Sequence, residues 1–477
     1  MNLKSIFYYL GFLLQILALS MLLPLLTGFY YWEEDAFVFL ISMGLTALSG
    51  FILKGFRNKD LELKYKDGFV IVTLGWLLVS LFGAFPFLLA GIFSNPVNAF
   101  FESVSGFTTT GATVIMSLES LSHTILFWRS LTHWLGGMGI IVISLAILPR
   151  LAGKMYLYTA EVPGPLNNRL KPRIQETART LWLLYIGLTI FQVFLLWITG
   201  MSLFESLIHS FGTISTGGFS SRVLSVGAYR TNTINIIIIV FMFLGATNFE
   251  LIYKFFRGDL FSFYRDEEFR FYLLLLGISI LLITVNLSIH IYDDYDISFK
   301  HAAFQVVSIS STTGYALVDY DSWPPFSRWI LLVLMFVGGS AGSTAGGIKV
   351  IRIKVLFKKC IQELYRMLHP RAIKKVKINN TIVSEEVSTS ILGFFFLYIM
   401  VFVVATICLT YYGIDILSAI SAVASSLGNI GPGLELVGPL NSYLPLQNMS
   451  KMILIFCMLL GRLEIYTILT FIFMDWR

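Results

Sequence analysis

Four short segments of this 477-residue chain join small polar residues to glycine. They read Thr108-Thr109-Thr110-Gly111-Ala112-Thr113, Ile214-Ser215-Thr216-Gly217-Gly218-Phe219, Ser311-Thr312-Thr313-Gly314-Tyr315-Ala316 and Gly428-Asn429-Ile430-Gly431-Pro432-Gly433. Their chemistry lies in the backbone. Gly permits positive φ, so successive carbonyls can all point one way. Four such strands around an axis make a cage of oxygens that replaces the hydration shell of a monovalent cation, as in potassium channels. The candidate ion ligands are Thr109, Thr110 and Gly111; Ser215, Thr216 and Gly217; Thr312, Thr313 and Gly314; and Asn429, Ile430 and Gly431. The fourth set lacks the Thr of the others, so the cage is expected to be only pseudo-fourfold.

Such strands must be positioned by something, and the flanking sequence supplies it four times. Apolar runs at 100–106, 203–211, 301–309 and 416–427 precede the segments and are too short to span a bilayer. Each reads as a half-helix that dips in from outside, with its carbonyl end facing a cation at mid-membrane. The chain then climbs back as extended backbone, which survives at that depth only where it is buried or lines a wet path. A full span returns inward and carries a glycine midway: Gly136, Gly245, Gly338 and Gly461, lying 25, 28, 24 and 30 residues beyond Gly111, Gly217, Gly314 and Gly431. A repeat in register decides the architecture.

Composition points to lipid as the solvent. The chain is 56% hydrophobic and 13% charged, against roughly 45–50% and about 25% in soluble domains. Runs long enough to span centre on 6–31, 35–54, 68–93, 125–148, 180–200, 232–256, 271–292, 327–357, 387–412 and 450–474. The first lacks a cleavage site and reads as a retained span. Connections at 54–67, 149–179, 254–270 and 349–377 hold five, six, four and ten basic residues, 25 of the chain's 34. The alternate connections are acidic or nearly neutral, as in Trp32-Glu33-Glu34-Asp35. The basic connections, and with them both termini, are therefore expected inside, and the net charge of +6 is a topology signal with no nucleic-acid partner implied. The three cysteines form no metal or disulfide spacing and the six histidines are scattered. No cluster of titratable residues at one depth supports an enzyme.

Two features inside the spans stand out. Residues 338–347 read Gly-Gly-Ser-Ala-Gly-Ser-Thr-Ala-Gly-Gly, with glycines Gly338, Gly339, Gly342, Gly346 and Gly347. Each Gly costs about 1 kcal/mol in a helix relative to Ala, so the eighth span should break in mid-membrane. A phosphate loop is excluded, because Ile348 separates Gly347 from Lys349. The second feature is Arg462 midway along the last span, costly at roughly 2.5–3.5 kcal/mol and functional by default. A structural ion pair with Glu464 or Glu250 is the competing reading.

At the four segments the chain resembles the Trk/Ktr/HKT superfamily of potassium transporters, and its two extra N-terminal spans and fourth segment resemble the bacterial TrkH branch most. The resemblance covers essentially the whole chain. It implies an all-α membrane fold of ten helices: two accessory helices (1–66), then pore repeats at 67–150, 151–258, 259–378 and 379–477. By resemblance the first filter glycines are Gly111, Gly217, Gly314 and Gly431. A Ser at the first accompanies sodium transport in plant relatives, so Gly at all four favours potassium. The loop holding Gly338, Gly339, Gly342, Gly346 and Gly347 would gate the pore beneath the filter, with Arg462 opposing leak. The resemblance further implies potassium as the transported ion with no organic cofactor, a bacterial inner-membrane location, a homodimer, and a cytosolic nucleotide-binding partner of the TrkA type. That partner would dock on the basic face, densest at 349–377, which also meets anionic membrane lipid. A symporter coupled to protons or sodium, with broader selectivity, stays open as the alternative. Inverted repeats, common in alternating-access carriers, are absent, since the four repeats run in one sense.

Overall fold

The computed structural model describes residues 2–56, 65–139, 174–229, 231–371 and 375–473, and helices account for nearly every element among them. Arg57, Lys59, Lys64 and Lys374, the inward end of the fourth span (140–148) and the basic stretch from 149 to 173 lie outside the described residues. Among the described residues, six helices are long and apolar enough to cross a membrane: Leu3–Tyr31, Asp35–Lys54, Lys66–Leu89, Arg179–Ile198, Glu267–His290 and Glu385–Tyr411. Two more spans are bent pairs, Asn232–Gly245 with Phe249–Phe256 at 106° and Asn448–Leu463 with Ile465–Phe473 at 109°. The last two expected spans are represented by the shorter helices His123–Gly137 and Pro325–Val337. Exposed apolar side chains such as Phe51, Phe396 and Ile407 face outward, where lipid solvates them. Polar residues such as Ser103, Ser206, Gln305 and Ser421 are buried instead, the reverse of a soluble protein.

Four short helices are surrounded by these spans: Pro96–Phe107, Leu203–Ile214, Tyr295–Ser310 and Ile416–Gly428. At about 1.5 Å per residue they are about 18–24 Å long, too short to cross a core of about 30 Å. Each starts at a capping side chain: Asn95, Ser202, Asp294 and Asp415 accept from backbone N–H groups of the first turn. Each helix stops at one of the four polar, glycine-containing segments.

The spans expected at 232–256 and 450–474 are both broken. At the first break Asn248 leaves the helix to cap the next one, its Oδ1 accepting from Glu250 N at 2.8 Å. At the second, Glu464 takes φ 60° and ψ 141°. The eighth span breaks as its composition requires: Pro325–Val337 ends at Gly338, and a new helix, Val350–Leu368, starts beyond the Gly-rich loop. A two-stranded antiparallel hairpin, Lys377–Ile378 with Thr381–Ile382, departs from the all-α expectation. Its turn residues Asn379 and Asn380 both have positive φ, as a tight hairpin turn requires. Ile378 packs with Ile351, Val355 and Ile391, so the hairpin anchors the helix that follows the loop.

Candidate ion pathway and gate

Each of the four short helices ends in the same turn. Thr109, Thr216, Thr312 and Asn429 adopt left-handed φ of 54°, 56°, 58° and 53°. The next residue, Thr110, Gly217, Thr313 or Ile430, donates its N–H to the carbonyl five residues back: Ser105, Gly212, Ser308 or Ser425. A glycine with positive φ comes next: Gly111 (83°), Gly218 (77°), Gly314 (78°) and Gly431 (107°). The sequence register in the second repeat is therefore corrected by one residue. Gly218, and not Gly217, matches Gly111; Gly217 holds the place of Thr110, Thr313 and Ile430. The reason is packing: a side chain at Gly217 would collide with the imidazole of His133, whose ring stacks on Phe219 at 3.9 Å.

The four turns close on one another. A Cβ on Gly111 would overlap the Gly217 carbonyl oxygen, one on Gly218 that of Thr313, and one on Gly314 that of Ile430. On Gly431 it would lie 2.7 Å from the Thr110 oxygen. Each glycine thus abuts the carbonyl of the following repeat, and the fourth returns to the first. The ring is unequal at the fourth repeat. There the Gly431 carbonyl accepts from Ser425 Oγ at 2.7 Å and Tyr443 Oη at 2.8 Å, and Asn429 Nδ2 donates to Thr110 Oγ1 and Met458 O, both at 3.0 Å. Three of the mid-span glycines explain how the ring is held. A Cβ at Gly136, Gly245 or Gly461 would press on the carbonyl oxygen of Phe107, Ile214 or Leu427, at the end of the same repeat's short helix.

The Gly-rich loop lies against the inner ends of these turns. Gly338, Gly342 and Gly347 have φ of 71°, 71° and 75°, while Gly339 and Gly346 approach Ala246 and the Gly428 carbonyl closely. The loop is tied to the second repeat and to the third, its own. Thr344 Oγ1 donates to Ile214 O and Gly245 O at 2.9 Å, Gly346 N donates to Thr312 Oγ1 at 2.8 Å, and Ser340 N donates to Ala246 O at 2.9 Å. The carbonyls freed by the break in the sixth span are thereby satisfied by the loop, as mid-membrane backbone demands.

Arg462 reaches this same place. Its guanidinium donates to Thr344 O at 2.9 Å, to Gly137 O at 2.9 Å and to Gly136 O. It pairs with neither acid named by the competing reading. Glu464 instead receives Arg352 at 2.8 Å, and Glu250 receives Lys254 at 2.7 Å. Glu464 points elsewhere because the helix ends between it and Arg462.

Several residues at the site carry no sequence signal of their own. Glu268 looks like an ordinary first-turn acid, yet it is buried and accepts from Ala341 N at 2.8 Å, within the loop, and from Ile351 N at 3.2 Å, in the helix that follows it. Lys349 is buried with φ 79° and donates to Ala345 O. Gly218 was visible as the second half of a Gly-Gly pair, but nothing local marks which glycine turns. On the Val350–Leu368 helix, Lys358 and Lys359 are engaged by Glu267 at 2.6 Å and Glu385 at 2.8 Å.

Spans and site together define a multi-pass membrane transport protein and not an enzyme. The profile of the TrkH family, described as a cation transport protein, matches residues 37–475. The Trk system potassium uptake protein TrkH of Salmonella typhimurium is 41% identical over 480 residues, covering 98% of each chain. The Trk system potassium uptake protein TrkG of Escherichia coli K12 is 37% identical and covers 96% of this chain and 95% of its own. The crystal structure of the potassium transporter TrkH from Vibrio parahaemolyticus matches with a TM-score of 0.90 at 38% identity, over the whole of both chains. The chain belongs to the TrkH family.

Proposed function

We propose that the chain carries potassium into the cell across the bacterial cytoplasmic membrane, through the four-turn ring and past a gate formed by the Gly-rich loop. The observation that carries this reading is the closed sequence of contacts in which Gly111, Gly218, Gly314 and Gly431 each meet a carbonyl of the next repeat. Carbonyls held by such packing offer a dehydrated cation fixed oxygens. The ligands are drawn from Thr109, Thr110, Gly111, Ser215, Thr216, Gly217, Gly218, Thr312, Thr313, Gly314, Asn429, Ile430 and Gly431. The gate comprises Gly338, Gly339, Gly342, Gly346, Gly347 and Arg462. The units are residues 1–66, then repeats at 67–150, 151–258, 259–378 and 379–477, with both termini cytoplasmic. The names of the relatives, all potassium uptake proteins, support the ion. Purified chain in liposomes tests the reading: potassium and rubidium should cross faster than sodium with no other gradient imposed. Potassium flux that requires a proton or sodium gradient would instead establish the coupled symporter.

The same proposal includes a homodimer and a nucleotide-binding cytosolic partner of the TrkA type. The Val350–Leu368 helix supports it, since it links the loop directly to the basic face. Because Lys358 and Lys359 have internal partners, the exposed Arg366 and Lys375 are the cleaner test. Changing both to Glu should abolish activation by partner and nucleotide while preserving ion preference; normal activation would remove the basic face from this role.

A further inference from the structure

We propose that the buried Glu102–Arg129 ion pair is a selectivity-setting brace that fixes the filter strands of the first two repeats against each other. This rests on the reading of the four turns as an ion filter. Glu102 lies seven residues ahead of Thr109 on the first short helix and has no exposed surface; Arg129, on the returning span, is 2% exposed. They meet at 2.6 Å through Nε and Oε1. The rest of the carboxylate serves the strand beyond Gly111: Thr113 Oγ1 donates at 3.0 and 3.1 Å and Val114 N at 2.9 Å. The rest of the guanidinium serves the strand beyond Gly218. Arg129 donates from Nη1 to Ser220 O at 3.0 Å and lies 3.7 Å from the centre of the Phe219 ring. One ion pair therefore spans two adjacent strands just past their filter glycines.

The corresponding places in the other repeats, seven residues ahead of Thr216, Thr312 and Asn429, hold His209, Gln305 and Ala422. His209 Nε2 meets Ser220 Oγ at 3.1 Å, and Gln305 Nε2 donates to Tyr315 O at 3.2 Å. These side-chain hydrogen bonds stay within their own repeats, and Ala422 has no polar side chain to offer. Glu102 alone of the four is charged and reaches across a repeat boundary through its partner. The pair is neutral as a unit, so it adds little net field to attract cations; its effect is on position. A buried pair is weak as a source of stability compared with apolar packing, but removing one member leaves an uncompensated charge. That makes it a rigid link: the strands cannot separate without exposing a bare charge to an apolar interior. Strands that cannot move apart or inward keep their oxygens at one spacing, and one spacing prefers one ion.

The test measures potassium, rubidium and sodium flux through full-length variants in liposomes, with detergent-solubilised melting as the check on folding. Glu102→Gln is expected to conduct both ions but to prefer potassium over sodium about tenfold less, equivalent to ~1.4 kcal/mol. Arg129→Lys keeps the charge but cannot serve Glu102 and Ser220 together, and should fall between. A residue that only stabilised the fold would lower the melting point and total flux with the ratio unchanged, and that result overturns the proposal. If Glu102→Gln does not fold, the double variant Glu102→Gln/Arg129→Met, which removes both charges, decides by the same ratio. If only Arg129→Lys folds, its ratio decides. Gly314→Ser, remote from the pair, separates the two levels. A lowered ratio there with a wild-type ratio in the brace variants rejects the brace alone, whereas an unchanged ratio in Gly314→Ser rejects the filter.

Discussion

Replacing Arg462 by alanine should open the pathway, and the size of the effect can be worked from its contacts. Among the described residues the guanidinium makes three hydrogen bonds, and one of them, to Thr344 O at 2.9 Å, is to the loop itself. A hydrogen bond to a charged group contributes about 1.5–3 kcal/mol. If that bond exists only with the loop in place, its loss shifts the closed-to-open balance by a factor of about 10–150. The bonds to Gly136 O and Gly137 O anchor the arginine to the first repeat and drop out of the difference to first order. Removing a positive charge beside the path also lowers the barrier to a cation, so the two effects add. Arg462→Lys separates them, since it keeps the charge but lacks a planar fork able to serve Thr344 and the first repeat together. The expected order of basal potassium flux is Arg462→Ala, then Arg462→Lys, then the unaltered chain. The assay is rubidium uptake into potassium-loaded liposomes without any partner protein. Flux that falls or stays level in Arg462→Ala of normal melting behaviour would refute the latch, and Arg462→Lys equal to the unaltered chain would leave only the charge.

Further outcomes follow from other contacts. Gly217→Ala should weaken potassium preference and be largely rescued by His133→Ala, because the collision is with a side chain; Gly218→Ala should not be rescued, because it strikes the Thr313 backbone. Equal rescue in flux-ratio measurements would restore Gly217 as the turning glycine. Cysteines placed at Glu34, Asp294 and Asn441 should react with an impermeant external reagent and one at Lys375 should not; reversed labelling would invert the assignment. The Glu33 carboxylate opposes its own burial with donors from Thr124 and His123, and its pKa is lowered below the ordinary 4.5. Its capping contribution, about 1 kcal/mol, is full above pH 4.5 and lost as pH falls through the lowered value, so Glu33→Gln should reduce the melting point at pH 7 and not at strongly acid pH.

Much of this was legible in the chain alone. Apolar content, the lengths of the runs and the placement of lysine and arginine identify a multi-pass membrane protein, because lipid imposes these on any sequence it solvates. The four segments announced their turns, since a short apolar helix ending in Thr or Asn and Gly has few backbone solutions. Five glycines in ten residues at 338–347 announced a break, and the broken span follows. Tertiary structure decided the matters in which two local solutions are equally good. Gly217 and Gly218 are both able to turn; the His133 ring and the Thr313 carbonyl, distant in sequence, select Gly218. Arg462 has an acid two residues away, yet the break at Glu464 sends one side chain to Thr344 and the other to Arg352. The bends near Asn248 and Glu464 were harder to see, because an isolated Gly (Gly245 or Gly461) within an apolar run is tolerated in a continuous helix. The first opens where the loop supplies partners for the Gly245 and Ala246 carbonyls, and those partners exist only once the repeats have met.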